Sequence, residues 1–200
     1  VPERRPRIGI LGGTFNPPHA GHLMIAEGVR DACDLDEVRF MPNAIPPHKV
    51  KAGDADAGQR LRMTELAIAG NPHFSVEKTE VETGGISYTS RTMDLLIEKE
   101  PETEFFFIIG GDSVDQLGSW FDIDGLIKKV GFIGVGRPGS AGITQYPVQM
   151  ADVPQIDLSS TEIRRRLSEG RTVRYLLPDP VISFIRKEGL YGSGNDKIGS

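Results

Sequence analysis

The sequence predicts an α/β fold: a Rossmann-like, doubly wound parallel sheet with helices on both faces and a small C-terminal helical part. Three observations carry this. Short apolar strands alternate with amphipathic helical stretches, the pattern of a parallel sheet covered on both sides. The most apolar stretch, Glu104 to Ile109, lies mid-chain and is apolar without alternation, as a central parallel strand should be. Glycine-rich turns follow two of the strands, after Leu11 and after Ile109, and in such sheets ligands bind beyond the carboxyl ends where strand order reverses.

Arg7 to Leu11 reads as a buried strand entering Gly12-Gly13. A helix over Gly21 to Cys33 places Leu23, Ala26, Val29 and Cys33 on one face. Glu37 to Met41 is a strand, and Pro42 to Ala57 a loop rich in Pro, Gly and Asp. A helix from Gln59 to Ala69 turns Met63, Leu66 and Ala67 inward. Phe74 to Lys78 is a strand and Tyr88 to Glu98 a helix. After the central strand come a helix near Phe121 to Lys129 and a strand from Gly131 to Val135. Helices from Ser159 to Ser168 and from Pro178 to Lys187 close the chain.

With 200 residues, one domain is expected, with loose ends at residues 1–5 and 192–200. A chain of this size buries roughly 70% of its unfolded surface and needs no staples. The composition, 38% hydrophobic and 26% charged, is that of an ordinary globular protein. A net charge of −5 argues against general nucleic-acid binding, although local donors can still hold a phosphate. No run approaches the roughly 20 apolar residues of a membrane span. One cysteine, Cys33, excludes an internal disulfide and fits a reducing, cytoplasmic setting. Val1 to Arg5 carries neither an apolar signal region nor an initiator Met, which leaves open whether the natural N-terminus lies upstream.

Two segments carry candidate chemistry. The first is Gly12-Gly13-Thr14-Phe15-Asn16-Pro17-Pro18-His19-Ala20-Gly21-His22. Glycines after a strand let backbone approach a phosphate, and the helix start beyond offers unpaired N–H groups. A plain tight turn is the alternative. It is neither the GxGxxG fingerprint nor a P-loop. His19 and His22 can face one ligand; they can equally cap the helix or lie on the surface. A zinc site is disfavoured because only His48 and His73 remain as further imidazoles and Cys33 lies inside a helix, so no metal ligands are assigned. The second segment is Ser159-Ser160-Thr161-Glu162-Ile163-Arg164. Ser159 and Glu162 have capping-box spacing, while three hydroxyls and an arginine also suit a polyphosphate. Cap and cradle are compatible.

His19-x-Gly21-His22 resembles the HxGH signature of class I nucleotidyltransferases, and Ser159-Ser160-Thr161-x-Ile163-Arg164 is similar to their SSTxIR signature. Between them stand Pro46-Pro47-His48-Lys49, Ser87-Tyr88-Thr89, Gly110-x-Asp112 and Ser119-Trp120-Phe121. The series resembles bacterial nicotinate mononucleotide adenylyltransferases from about Ile8 to Tyr191. It departs from them at Asn16, where Asp is more usual, and at Phe121, where Tyr is common.

The resemblance implies adenylyl transfer from ATP to nicotinate mononucleotide in NAD biosynthesis, with Mg²⁺ accompanying ATP. It assigns His19 and His22 as catalytic. The expected ATP contacts are those two with Gly12, Gly13, Thr14, Phe15, Gly110, Asp112, Arg137, Ser159, Ser160, Thr161 and Arg164. Asp112 is equally readable as a helix N-cap. Acceptor contacts are expected from Lys49, Thr89, Trp120 and Phe121, with Trp120 stacked on the pyridine ring. Without the resemblance, Trp120 reads as a packing residue and Lys49 and Arg137 as surface cations. A homo-oligomer is left open. The competing readings are a related transferase with another phosphate acceptor, nicotinamide mononucleotide among them, and a non-catalytic nucleotide sensor. A tRNA synthetase fragment is disfavoured by the acidic balance and the lack of a lysine-rich second signature.

Overall fold

The structure, a computed structural model, describes residues 3–46, 50–136 and 144–193. Six strands form one sheet in the order β3-β2-β1-β4-β5-β6, with every pair parallel. They are β1 (Arg7–Gly13), β2 (Glu37–Pro42), β3 (Phe74–Val76), β4 (Glu104–Gly110), β5 (Gly131–Val135) and β6 (Gln149–Ala151). The helices are α1 (Ala20–Ala32), α2 (Ala57–Ile68), α3 (Thr79–Thr83), α4 (Thr89–Lys99), α5 (Ile123–Leu126), α6 (Ser160–Ser168) and α7 (Asp179–Glu188), with a 3₁₀ helix over Gly111–Ser119. None among the described residues is long and apolar enough to cross a membrane.

Alternation along the strands divides the core in two. Leu11, Phe106 and Ile108 face α1, α2, α6 and α7, where Val29, Met63, Ile163 and Ile185 are buried. Ile8, Ile10, Phe107 and Ile109 face α4, α5 and the 3₁₀ helix, burying Met93, Leu96, Leu117 and Leu126. The C-terminal helices α6 and α7 therefore complete the first layer. Strand order reverses between β1 and β4, so the two glycine-rich strand ends lie side by side at the switch point.

Several elements differ from the sequence reading. Gly12 and Gly13 pair with Met41 and Pro42 inside β1, so they do not form a turn. The helix expected near Phe121–Lys129 shrinks to one turn, because Asp122 takes a left-handed conformation (φ 49°) at its start. The preceding segment forms the 3₁₀ helix instead: Val114 and Leu117, three apart, are both buried, and residues i and i+3 eclipse in that geometry. The short elements α3 and β6 are additional. Of the ends expected to be loose, Arg4 pairs with Asp34 and Asp36, and Arg5 donates to the carbonyls of residues 101–103.

Candidate active site

The loop from Thr14 to Pro18 leaves β1 at the switch point and leads into α1. His19 is the N-cap of α1. The Gly21 N–H donates to His19 Nδ1 at 3.0 Å, and the His19 N–H donates to His22 Nδ1 at 3.0 Å. Because a backbone N–H can only donate, each neutral ring must carry its proton on Nε2. The rings stack with centroids 3.8 Å apart, and Phe15 meets His22 edge-on at 4.9 Å. Burial pushes His19 down to about 4. Burial, and then the charge of His19, push His22 down to about 3. At neutral pH the pair is two uncharged donors. Gly21 permits this arrangement: a Cβ there would stand 2.8 Å from His19 Cε1 and 2.9 Å from Nδ1.

The N-terminus of α6 docks on the same loop. The Ser160 hydroxyl donates to the Pro17 carbonyl at 2.8 Å, and Arg164 Nη1 donates to the Asn16 carbonyl at 2.8 Å. The Asn16 side chain, at the position where Asp is more usual in the resembled family, is buried and accepts from the Tyr191 hydroxyl. Ser159 caps α6 by accepting from the Glu162 N–H at 3.1 Å. The reciprocal half of the expected capping box does not form, because Arg165 and Arg166 take the Glu162 carboxylate.

A common pattern runs through the hydroxyls. Thr14 accepts from Asn43 Nδ2, Ser159 from a backbone N–H, and Thr161 from Arg164 Nη2. Each keeps its own proton to donate. Ser160 is the exception: its hydroxyl proton is spent on the Pro17 carbonyl, so the side chain ties the loop and the backbone N–H at the start of α6 is the donor it keeps for a ligand.

Behind the loop lies Arg60 of α2, 1% exposed. It donates to the carbonyls of Thr14 and Ala44, each at 2.9 Å, and to Asn43 Oδ1 at 3.1 Å. Its Nε has no partner, and no carboxylate pairs with it among the described residues. Since Arg60 can only donate, Asn43 must turn its oxygen toward it and its NH₂ toward Thr14. Burial lowers the Arg60 pKa, with Tyr191 and Asp56 opposing. The site thus holds a buried guanidinium with no directly paired carboxylate among the described residues, Asp56 acting on it only through space. The sequence reading missed Arg60 and Asn43. The signal was an arginine in register with Met63, Thr64 and Ala67 on the buried face of α2.

On the other side of β1 a cavity of about 510 Å³ is lined by Gly12, Gly13, Asn43, Glu80, Thr89 and Phe107 with other residues. Thr89 opens α4, whose N-cap Tyr88 makes no side-chain cap bond. Tyr88 packs on Phe121, and Arg91 lies over both rings. Trp120 is half-buried and edge-on to Phe132 and to Phe107, a residue of the cavity wall. A Cβ on Gly12 would stand 3.1 Å from Phe107, and one on Gly111 would stand 2.6 Å from the Val135 carbonyl. Both glycines serve close approach. Phe15 keeps its side chain in the core, leaving only its backbone for a ligand. Gly110 is the N-cap of the 3₁₀ helix, and Asp112 is exposed in its first turn and makes no cap bond, so the N-cap alternative for Asp112 falls. Lys49 and Arg137 lie outside the described residues.

A cytidylyltransferase-like family model matches residues 10–166. The chain is 50% identical over 191 residues to the probable nicotinate-nucleotide adenylyltransferase of Lactiplantibacillus plantarum, covering 96% of this chain and 90% of that protein. It is 46% identical over 187 residues to the nicotinate-nucleotide adenylyltransferase of Bacillus subtilis, covering 94% and 99%. Among solved structures it resembles the Plasmodium falciparum nicotinic acid mononucleotide adenylyltransferase complexed with NaAD, with a TM-score of 0.77, 20% identity and coverage of 94% and 98%. At that identity the likeness speaks to the fold.

Proposed function

The chain belongs to the cytidylyltransferase-like family and, within it, to the nicotinate-nucleotide adenylyltransferases, and on that premise we propose how its residues carry out adenylyl transfer from ATP to nicotinate mononucleotide. An oxygen of the acceptor phosphate attacks the α-phosphorus of ATP. The new O–P bond forms as the bond to the β-phosphate oxygen breaks. Nicotinate adenine dinucleotide and pyrophosphate leave. The attacking phosphate is ionised near neutral pH, so no strong base is needed, and catalysis is positioning plus stabilisation of developing charge.

The observation that carries this reading is the set of oriented donors at the switch point. His19 and His22 offer Nε2–H groups because their Nδ1 atoms are occupied. Thr14, Ser159 and Thr161 offer hydroxyl protons because their oxygens already accept. Arg164 has used two of its N–H groups and keeps three of the five a guanidinium carries. The imidazoles, Thr14 and the Phe15 N–H face the α-phosphate. Ser159, Thr161 and Arg164 hold the leaving β- and γ-phosphates. The cavity beside β1 takes the acceptor, with Thr89 and the Phe121 N–H near the nicotinate and Trp120 bracing its ring. Lys49 and Arg137 remain expected contacts on the family resemblance.

ATP enters as its Mg²⁺ complex. Mg²⁺ usually keeps waters and is held by substrate phosphates with one or two carboxylates; the exposed Asp112, at the adjacent strand end, is the carboxylate that would meet it. A cytoplasmic setting supplies both substrates. The test is pyrophosphate release from MgATP with nicotinate mononucleotide, nicotinamide mononucleotide and phosphopantetheine as acceptors. Turnover is expected with the acid mononucleotide at the highest kcat/KM, because backbone N–H groups bind a carboxylate more strongly than an amide. Equal or better turnover with another acceptor overturns the assignment.

A further inference from the structure

Glu80 has no place in the mechanism above, yet it lies in the wall of the acceptor cavity with Gly12, Gly13 and Thr89. It is 8% exposed. Its Oε1 accepts from the Thr92 hydroxyl at 3.1 Å. Among the described residues no cation pairs with it, and Oε2 has no partner. A buried carboxylate normally has its oxygens satisfied, and burial here raises its pKa against the opposing Thr92 bond. Oε2 is not among the fully enclosed unpaired atoms, so the cavity is where it can find a donor.

We propose that Glu80 binds the ribose hydroxyls of the acceptor mononucleotide. This rests on the acceptor assigned above and follows from that molecule's chemistry. Near neutral pH its phosphate and its nicotinate carboxylate are both ionised, so neither donates and both repel a carboxylate. The ring nitrogen is bonded to ribose and carries no proton. The two ribose hydroxyls are the only donors the acceptor has. The positive pyridinium nitrogen is attached to the carbon next to the 2′-hydroxyl, so the Glu80 charge favours the same placement. Glu80 lines the same cavity as Gly12, Gly13 and Thr89, and in the mononucleotide the ribose joins the phosphate to the ring, so a carboxylate in this wall is within the acceptor's reach.

The test compares kcat/KM for nicotinate mononucleotide with its 2′-deoxy and 3′-deoxy analogues, in the parent protein and in Glu80→Gln and Glu80→Met. In the parent, loss of one hydroxyl should cost at least about tenfold, as a charge-assisted bond is lost and a buried acceptor is left unpaired. Glu80→Met should lower turnover of the ribonucleotide by a similar factor while bringing the ribo-to-deoxy ratio close to one, with Glu80→Gln between. In Glu80→Met the single Thr92 hydroxyl proton can turn to the Tyr88 carbonyl, which already lies within reach at 3.2 Å. A parent protein indifferent to both deoxy analogues overturns the proposal. So does a variant that slows ribo and deoxy acceptors by one common factor, the mark of a structural role. Should Glu80→Met fail to fold, the parent comparison and Glu80→Gln still decide. Failure of the parent to use nicotinate mononucleotide at all overturns the acceptor assignment first, and this inference with it.

Discussion

Gly21→Ala separates the chemistry of the histidine pair from the stability of the fold. The new Cβ would stand 2.8 Å from His19 Cε1 and 2.9 Å from Nδ1. The helix backbone at residue 21 is fixed by its own ladder, so the ring must rotate away. That movement breaks the 3.0 Å bond from the Gly21 N–H and shifts the stacked His22 ring, 3.8 Å away. The stability terms nearly cancel. Ala gains up to about 1 kcal/mol of helix propensity over Gly, and loss of one hydrogen bond costs about 1 kcal/mol. The transition-state term has no such offset: a displaced donor at developing charge costs about 3 kcal/mol, a rate loss on the order of a hundredfold. Thermal unfolding and kcat measured on one preparation test this. The expected result is a fold within about 1 kcal/mol of the parent with kcat down by about two decades. Parental kcat would show that the His19 orientation set by Gly21 has no part in turnover.

Arg60→Met should lower stability by about 2–4 kcal/mol, because three oxygens lose their donor. It should lower kcat/KM at least tenfold as Thr14 loses its orienting partner, on the order of 1.4 kcal/mol; denaturant melts beside turnover assays test both, and a variant with parental turnover removes Arg60 from the site. Ser159→Ala should cost about 1 kcal/mol through the lost cap, whereas Arg164→Lys should raise the KM for ATP and loosen the loop, since an ammonium cannot reach the Asn16 carbonyl, Thr161 and a phosphate together; an unchanged KM leaves Arg164 a purely structural tie. The folded-state pKa values of His19 and His22 lie below the ordinary value of 6.5, so the unfolded chain takes up protons first as pH falls. Stability from this source is full above pH 6.5 and is lost progressively toward about pH 4 for His19 and about pH 3 for His22; a melting profile flat from pH 7 to 5 would contradict it, and His19→Ala/His22→Ala should flatten the parental slope.

How legible this was from sequence depended on the range of the interaction. His19-x-Gly21-His22 and Ser159 are local devices: cap, ring and helix start lie within one turn, so their spacing carries their geometry. The alternation of strands and helices gave away the switch point because parallel crossovers admit few topologies. Gly12 and Gly13 misled, since glycine suits both a turn and a close approach; here Phe107, almost a hundred residues away, decides for approach at Gly12, and Phe15 at Gly13. The 3₁₀ helix went unread: its one signal, the spacing of Val114, Leu117 and Trp120, fits an α-helix face equally well. β6 hid in a short alternation, with Val148 and Met150 packing on one face and Ala151 and Val153 on the other. Arg60 and Glu80 were legible only as charges on otherwise buried faces, and what they bond to lies on other elements.

The site resolves a conflict in the composition: a chain of net charge −5 must hold two polyanions at once. Long-range attraction is of no help, so recognition falls to groups acting over a few ångströms. Arg60 contributes charge from beneath, where low polarity keeps it effective and salt screens it little. Arg164 and the helix starts of α1 and α6 contribute from the rim. The imidazoles contribute no charge, and that is consistent with turnover. Two imidazolium groups would hold ground-state ATP and leaving pyrophosphate as firmly as the transition state. Such uniform binding does not raise kcat. A neutral Nε2–H strengthens its bond as negative charge builds on the oxygens in flight, and relaxes when the charge has gone. On the proposed mechanism, the burial that pushes both pKa values down would make the pair selective for the moment of transfer, at a cost to acid stability.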